Sequence, residues 1–206
     1  MWKNPIVTAI CGLLLGFLVG YVVGQGASAG VPAPAGGPHA GVPGAPPLGE
    51  AMPPPQEGRA GAVANPRLME QLKELNQLLE KDPNNYEHMR QIANVHFDLG
   101  DYVKAADYYE KARAVRDDSA DVLTDLGVCY RETNRAQRAL ELFRRAVKLD
   151  PSHWQSRYNA AIVLLFDLND PKGAAGEVEQ LKQLRASVPG IPDLSGLEQE
   201  IAKRSK

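Results

Sequence analysis

Between Val122 and Leu149 apolar side chains recur at intervals of three and four residues, in two runs separated by a polar stretch. The first run ends at Tyr130, and the second takes in Ala139, Leu142, Phe143, Ala146, Val147 and Leu149. Such spacing gathers the apolar groups on one face of a helix, so it predicts two amphipathic α-helices joined by a short turn. Gly127 and Ala139 are small where the two helices must come closest. Asp150-Pro151 ends the second helix, because proline lacks the donor that would continue it and restricts the residue before it.

One helical pair cannot bury its own apolar faces, and the pattern recurs along the chain. Thirty-four residues earlier, Tyr86 to Ser119 carries Ile92, Ala93 and His96, a Gly100-Asp101-Tyr102 turn, then Ala105, Tyr109 and Ala112, and it ends at Asp117 rather than at a proline. Before that, Leu68 to Lys81 reads as a second helix, with Leu75 and Leu78 at packing positions, whose first partner is missing. Beyond the central pair, Trp154 to Phe166 predicts a first helix. The run LNDPKGAAGEVEQLKQL supplies its second only if one or two residues are inserted at the turn. Asp193 or Ser195 then caps a short last helix with Leu194, Leu197 and Ile201 on one face.

The stretch from Ala120 to His153 resembles the tetratricopeptide repeat (TPR). Leu123, Leu126, Gly127, Tyr130, Ala139, Phe143, Ala146 and Pro151 occupy that family's positions. Leu123 stands where the family favours Trp, and Asn134 where it favours Gly. Asparagine is the next best residue at a left-handed turn. The resemblance implies an all-α superhelix of antiparallel helix pairs over residues 66–206. A half repeat (66–85) leads into repeats at 86–119 and 120–153, a degenerate repeat (154–188) and a capping helix (193–204).

In TPR proteins the first helix of each pair lines a concave groove that holds a protein ligand. The resemblance carries the groove-facing positions onto Arg90, Asn94, Phe97 and Asp98, then Asp121, Thr124, Asp125, Val128 and Arg131, then Gln155, Tyr158, Asn159, Ile162 and Leu165. Arg90 and Asn94 match the family's clamp for a terminal carboxylate. Asp125, which would repel one, and Gln155 and Asn159, where basic residues are expected, do not. A segment with apolar and basic character suits the groove better, held by Tyr158, Ile162 and Leu165 and by Asp98, Asp121 and Asp125.

The first 65 residues have a different composition. Ile6 to Val23 is uncharged, about 27 Å as a helix at roughly 1.5 Å per residue against a hydrocarbon core of about 30 Å, so it can just span a membrane. Asn4 and Pro5 suit a helix start, and Trp2 and Tyr21 suit the two interfaces. The length of the run favours an uncleaved transmembrane anchor over residues 1–24, with a cleaved signal peptide ending near Ala27-Ser28-Ala29 as the alternative. Gly12, Gly16, Gly20 and Gly24 form one stripe, the small-residue geometry of close membrane-helix packing with another copy or another subunit. Lys3 precedes the span and the next basic residue is Arg59, which puts the amino terminus inside and the repeats on the extracytoplasmic, periplasmic side of the cytoplasmic membrane. Residues 25–65, rich in proline, glycine and alanine, predict a disordered tether with an average span on the order of 35 Å.

The chain has 206 residues, 44% apolar and 23% charged, ordinary for a globular protein. All but Lys3 and Arg59 of its 23 basic residues, and all but Glu50 and Glu57 of its 25 acidic ones, fall from Asn65 onward, so no nucleic-acid partner is implied. Arg135, Arg138, Arg144 and Arg145 are interspersed with Glu132, Glu141 and Asp150, the usual pattern of a solvated face. No histidine pair has metal-ligand spacing, His96 fills the family's Tyr position, and Cys129 reads as a small buried hydrophobe. No cofactor is expected. The sequence therefore predicts a non-enzymatic, membrane-tethered adaptor for another protein. Its layout is similar to bacterial TPR assembly factors, those of c-type cytochrome maturation first and secretion-associated chaperones second. A structural subunit of a membrane complex, held by the glycine stripe, is the alternative.

Overall fold

A computed structural model describes residues 65–206 as eight α-helices with short connections: α1 Pro66–Lys81, α2 Tyr86–Asp98, α3 Tyr102–Val115, α4 Ala120–Glu132, α5 Ala136–Leu149, α6 Trp154–Ile162, α7 Pro171–Leu184 and α8 Ser195–Arg204. There is no strand among the described residues. The predicted anchor, its glycine stripe and the tether lie outside them. No helix of the described residues is long and apolar enough to cross a membrane.

Local chemistry sets the boundaries. Asn65, Asn85, Asp101, Ser119 and Asp170 each accept a backbone N–H from the first turn of the helix they precede, which satisfies donors a helix start leaves orphaned. The last helix departs from expectation. Leu194 is its cap residue and makes no side-chain bond, while the Asp193 carboxylate accepts the Ser195 N–H at 3.4 Å and pairs with the Ser195 hydroxyl.

Each helix packs on the next, α2 on α3, α4 on α5 and α6 on α7 most extensively, with α3 on α4 and α5 on α6 joining the pairs into one stack. Within the central pair the backbone approach is close: a β-carbon added at Gly127 would lie 2.5 Å from Cε1 of Phe143. Phe143 is fully buried, as are Leu123, Leu126 and Ala139 around it. At the amino-terminal end Leu75 is the one buried residue of α1. Leu78, expected to pack, is 42% exposed.

The turns inside the pairs share one device. Gly100, Asn134 and Asn169 all have positive φ, at 73°, 61° and 52°, the left-handed region that glycine and asparagine tolerate best. The first two are thirty-four residues apart and the last two thirty-five, so the third repeat holds one extra residue. The chain absorbs it inside the helix: Val163–Asp167 is a π-helical turn, with Leu168 N–H bonded to Val163 C=O at 2.9 Å. Only after that turn does the chain reverse into α7.

His96 packs as the family's Tyr position implies. It stacks on Tyr108 with 5.8 Å between ring centres, and its Nδ1 lies 3.7 Å from the Asp101 carboxylate. Burial holds its pKa below the ordinary 6.5, with Asp101 opposing. Between the two values the unfolded chain binds a proton that the folded imidazole resists. This contribution therefore leaves stability whole above pH 6.5 and subtracts from it as pH falls. In urea melts at about pH 7.5 and about pH 5.5, His96→Tyr is expected to lose less stability on acidification than the parent chain. An identical loss in both would rule out the imidazole as a source.

Candidate protein-binding groove

The first helices of the three pairs, α2, α4 and α6, carry the positions that the sequence assigns to the groove. Their polar groups are joined from helix to helix. The Tyr109 hydroxyl, rising from α3, donates to Asn94 Oδ1 of α2 at 2.7 Å and reaches Asp125 Oδ2 of α4 at 3.4 Å. Burial, reinforced by Asp125, pushes this phenol far above the ordinary tyrosine range, so it stays a donor. One helix further on, the Thr124 and Ser156 hydroxyls lie 2.6 Å apart. His153 bridges Ser156 Oγ at 2.7 Å and Asp121 Oδ1 at 2.9 Å. Arg131 Nε donates to Asp167 Oδ2 at 2.7 Å.

Serine, histidine and aspartate in one chain of hydrogen bonds invite comparison with a nucleophilic triad. The burial argues otherwise. Ser156 has no exposed surface, and its hydroxyl is shared with Thr124, so a substrate carbonyl has no path to it. The network joins α4 to the start of α6. Cys129 is likewise buried, and burial raises its thiol pKa well above the ordinary value.

The charges along the groove are uneven. Arg90 is engaged by Glu87 through two bonds, 2.6 and 3.1 Å, which holds the carboxyl below and the guanidinium above their ordinary values. Arg131 is engaged by Asp167. Both groove cations thus sit beside a carboxylate, and the assigned positions themselves hold three acids, Asp98, Asp121 and Asp125, against those two cations. Tyr158, partly buried, meets Trp154 edge-on at 6.5 Å between ring centres. Gln155 and Val128 are also partly exposed.

Five of the assigned residues lie too deep to line a surface. Phe97 is buried edge-on against Tyr102, and Thr124 and Asn159 are buried as well. The apolar end expected from Ile162 and Leu165 is closed: they are 8% and 0% exposed. For Leu165 the reason is the π-turn, which begins just after Ile162 and breaks the 3.6-residue register that places Leu165 on the groove face. Arg204 of α8 then covers this end, donating to the Leu165 carbonyl at 3.1 Å and sitting 4.9 Å over the Phe166 ring.

The family profile described as tetratricopeptide repeat matches residues 73–152, and a second of the same description matches residues 124–189. The chain carries tetratricopeptide repeats. A peroxisomal targeting signal receptor of Eremothecium gossypii is 34% identical over 62 residues, 30% of this chain and 11% of that protein; the chain thus matches about a tenth of the receptor's length. Of solved structures, one of MamA protein is similar with a TM-score of 0.57 and 19% identity over 68% of this chain and 80% of that one. MamA from Desulfovibrio magneticus RS-1 gives 0.56 and 20% over 59% and 68%. The Arabidopsis OM64 TPR domain gives 0.51 and 17% over 57% and 94%. At these identities what is shared is the fold, and the TPR fold is one that binds other proteins or peptides.

Reading the TPR pattern alone passes over two side chains that hold assigned groove residues in place, Tyr109 and His153. Tyr109 takes the position that Phe143 takes one repeat later, and its extra hydroxyl is the signal that this core residue also bonds outward. His153 stands at a repeat boundary, where neither periodicity nor metal-ligand spacing gives it a role.

Proposed function

We propose that this chain is a non-enzymatic adaptor whose TPR groove holds a segment of another protein bearing basic and apolar side chains. One observation carries the reading: acids outnumber cations at the assigned groove positions, Asp98, Asp121 and Asp125 against Arg90 and Arg131, and Glu87 and Asp167 lie beside those two cations. A cationic segment gains attraction along those positions, and the Trp154–Tyr158 pair offers its apolar side chains a partly exposed aromatic wall. The 62-residue similarity to a targeting signal receptor supports a peptide-sized ligand. The uncharged run Ile6 to Val23 supports a membrane tether that presents the repeats outside the cytoplasm. Assembly of extracytoplasmic proteins, c-type cytochromes first, is the process we assign to it.

The test is a photoreactive residue at Gln155 in the full-length, membrane-bound chain, with the captured partner identified and the capture repeated in Asp125→Asn/Tyr158→Ala. Asparagine preserves an acceptor for the Tyr109 hydroxyl while removing the charge. Capture is expected to fall about tenfold or more, since hydrogen bonds to charged groups contribute roughly 1.5–3 kcal/mol and each 1.4 kcal/mol is about a factor of ten. Undiminished capture in the double variant refutes the groove assignment.

A further inference from the structure

We propose that the outer face of α5, together with the cleft it forms against α3, is a second docking surface, for an acidic segment of a partner protein. In sequence the arginines of this helix are interspersed with acids, but the fold separates them. The Glu132 carboxylate lies 3.8 Å from Arg131, and Asp150 accepts both the N–H and the hydroxyl of Ser152. At the cleft, Arg113 and Arg145 are neutralised by Glu110 and Asp117. Arg135, Arg138, Arg144 and Lys148 hold no ion pair among the described residues, and on this helix they face one carboxylate, Glu141.

Two of these cations are positioned. Arg135 and Arg138 lie 5.5 and 5.6 Å from the centre of the Tyr130 ring, whose hydroxyl is anchored on Glu110 at 2.7 Å. The cleft beside them, about 200 Å³, is lined by Tyr130 and Leu142, by Arg138, Glu141 and Arg145 of α5 and by Glu110 and Arg113 of α3. A guanidinium held against an aromatic face loses less freedom on meeting a carboxylate than one waving in solvent, and its fork suits that partner. Charge complementarity thus selects an acidic peptide, whose carboxylates meet Arg135 and Arg138 while its backbone follows α5 towards Arg144 and Lys148. The groove on α2, α4 and α6 carries the opposite sign, so the two surfaces do not compete for one ligand.

The experiment uses the full-length chain in phosphatidylcholine nanodiscs with a fluorescent Ac-(Glu-Asp)6-NH2 peptide, its (Gln-Asn)6 counterpart, and water-soluble glycerophosphoserine as the lipid-headgroup probe. The acidic peptide is expected to bind and the neutral one not, with affinity falling as salt rises. Arg135→Gln/Arg138→Gln is expected to weaken binding about tenfold while leaving far-UV circular dichroism and cross-linking from the groove unchanged. Arg138→Lys alone is expected to weaken binding by a smaller factor, because the ammonium keeps the charge but loses the fork. Equal binding of the neutral peptide, unchanged affinity in the double variant, or affinity for glycerophosphoserine alone overturns the proposal.

Discussion

Replacing Gly127 by leucine is expected to destabilise the repeats by about 3 kcal/mol or more, at the upper end of overpacking effects. Even a single added carbon is placed 2.5 Å from Cε1 and 2.9 Å from Cδ1 and Cζ of Phe143. Phe143 has no exposed surface into which its ring could turn. Two effects oppose each other in the smaller change to alanine. Helix propensity favours alanine over glycine by about 1 kcal/mol, whereas the contact forces α4 and α5 apart along their whole interface. Because the clash is with a ring wedged in the core, the contact wins, and Gly127→Ala should also lower the urea midpoint. Phe143→Leu in the Gly127→Ala background should recover part of the loss, a coupling that a double-mutant cycle reads directly. A midpoint raised by Gly127→Ala would show that the helices have room to spare.

Truncating Tyr109 to alanine should cost about 3–5 kcal/mol, the range for emptying an aromatic site in a core. Tyr109→Phe separates the ring from its hydroxyl. It leaves Asn94 Oδ1 without the 2.7 Å bond it accepts from the phenol and removes the 3.4 Å contact to Asp125. A loss of about 1–2 kcal/mol is expected, the usual range when a partner is withdrawn from a partly buried polar group. The phenylalanine variant carries the more specific outcome. If the hydroxyl fixes the two groove side chains, ligand capture should fall in Tyr109→Phe by more than the change in folded fraction explains. Stability lost with capture intact would limit the residue to the core.

Much of this architecture was legible in spacing. The close approach at Gly127, the left-handed turn at Asn134 and the paired helices on either side follow from where small, apolar and turn-forming residues fall. The extra residue of the third repeat was countable too, but counting places it in the turn. Its seat in a π-turn depends on which carbonyls the backbone N–H groups can reach, and no side chain announces that. The groove was less legible for a related reason. A repeat register gives each residue a direction on its helix and says nothing about depth. Tyr158 and Leu165 fall on one assigned face, yet one is partly exposed and the other sealed under α8. Hydrogen bonds across repeats, such as His153 to Asp121 thirty-two residues away, leave no trace in a local pattern.

Leu75, the single buried side chain of α1, has a mechanical consequence. In a stack whose repeats touch their neighbours in turn, resistance to opening is set element by element, and the end with least buried surface gives way first. A pull entering the folded region at Asn65 loads α1 before any complete pair. The helix would peel at low force while the Gly127–Phe143 junction stays shut, so α1 acts as a fuse that yields to tension and spares the groove behind it.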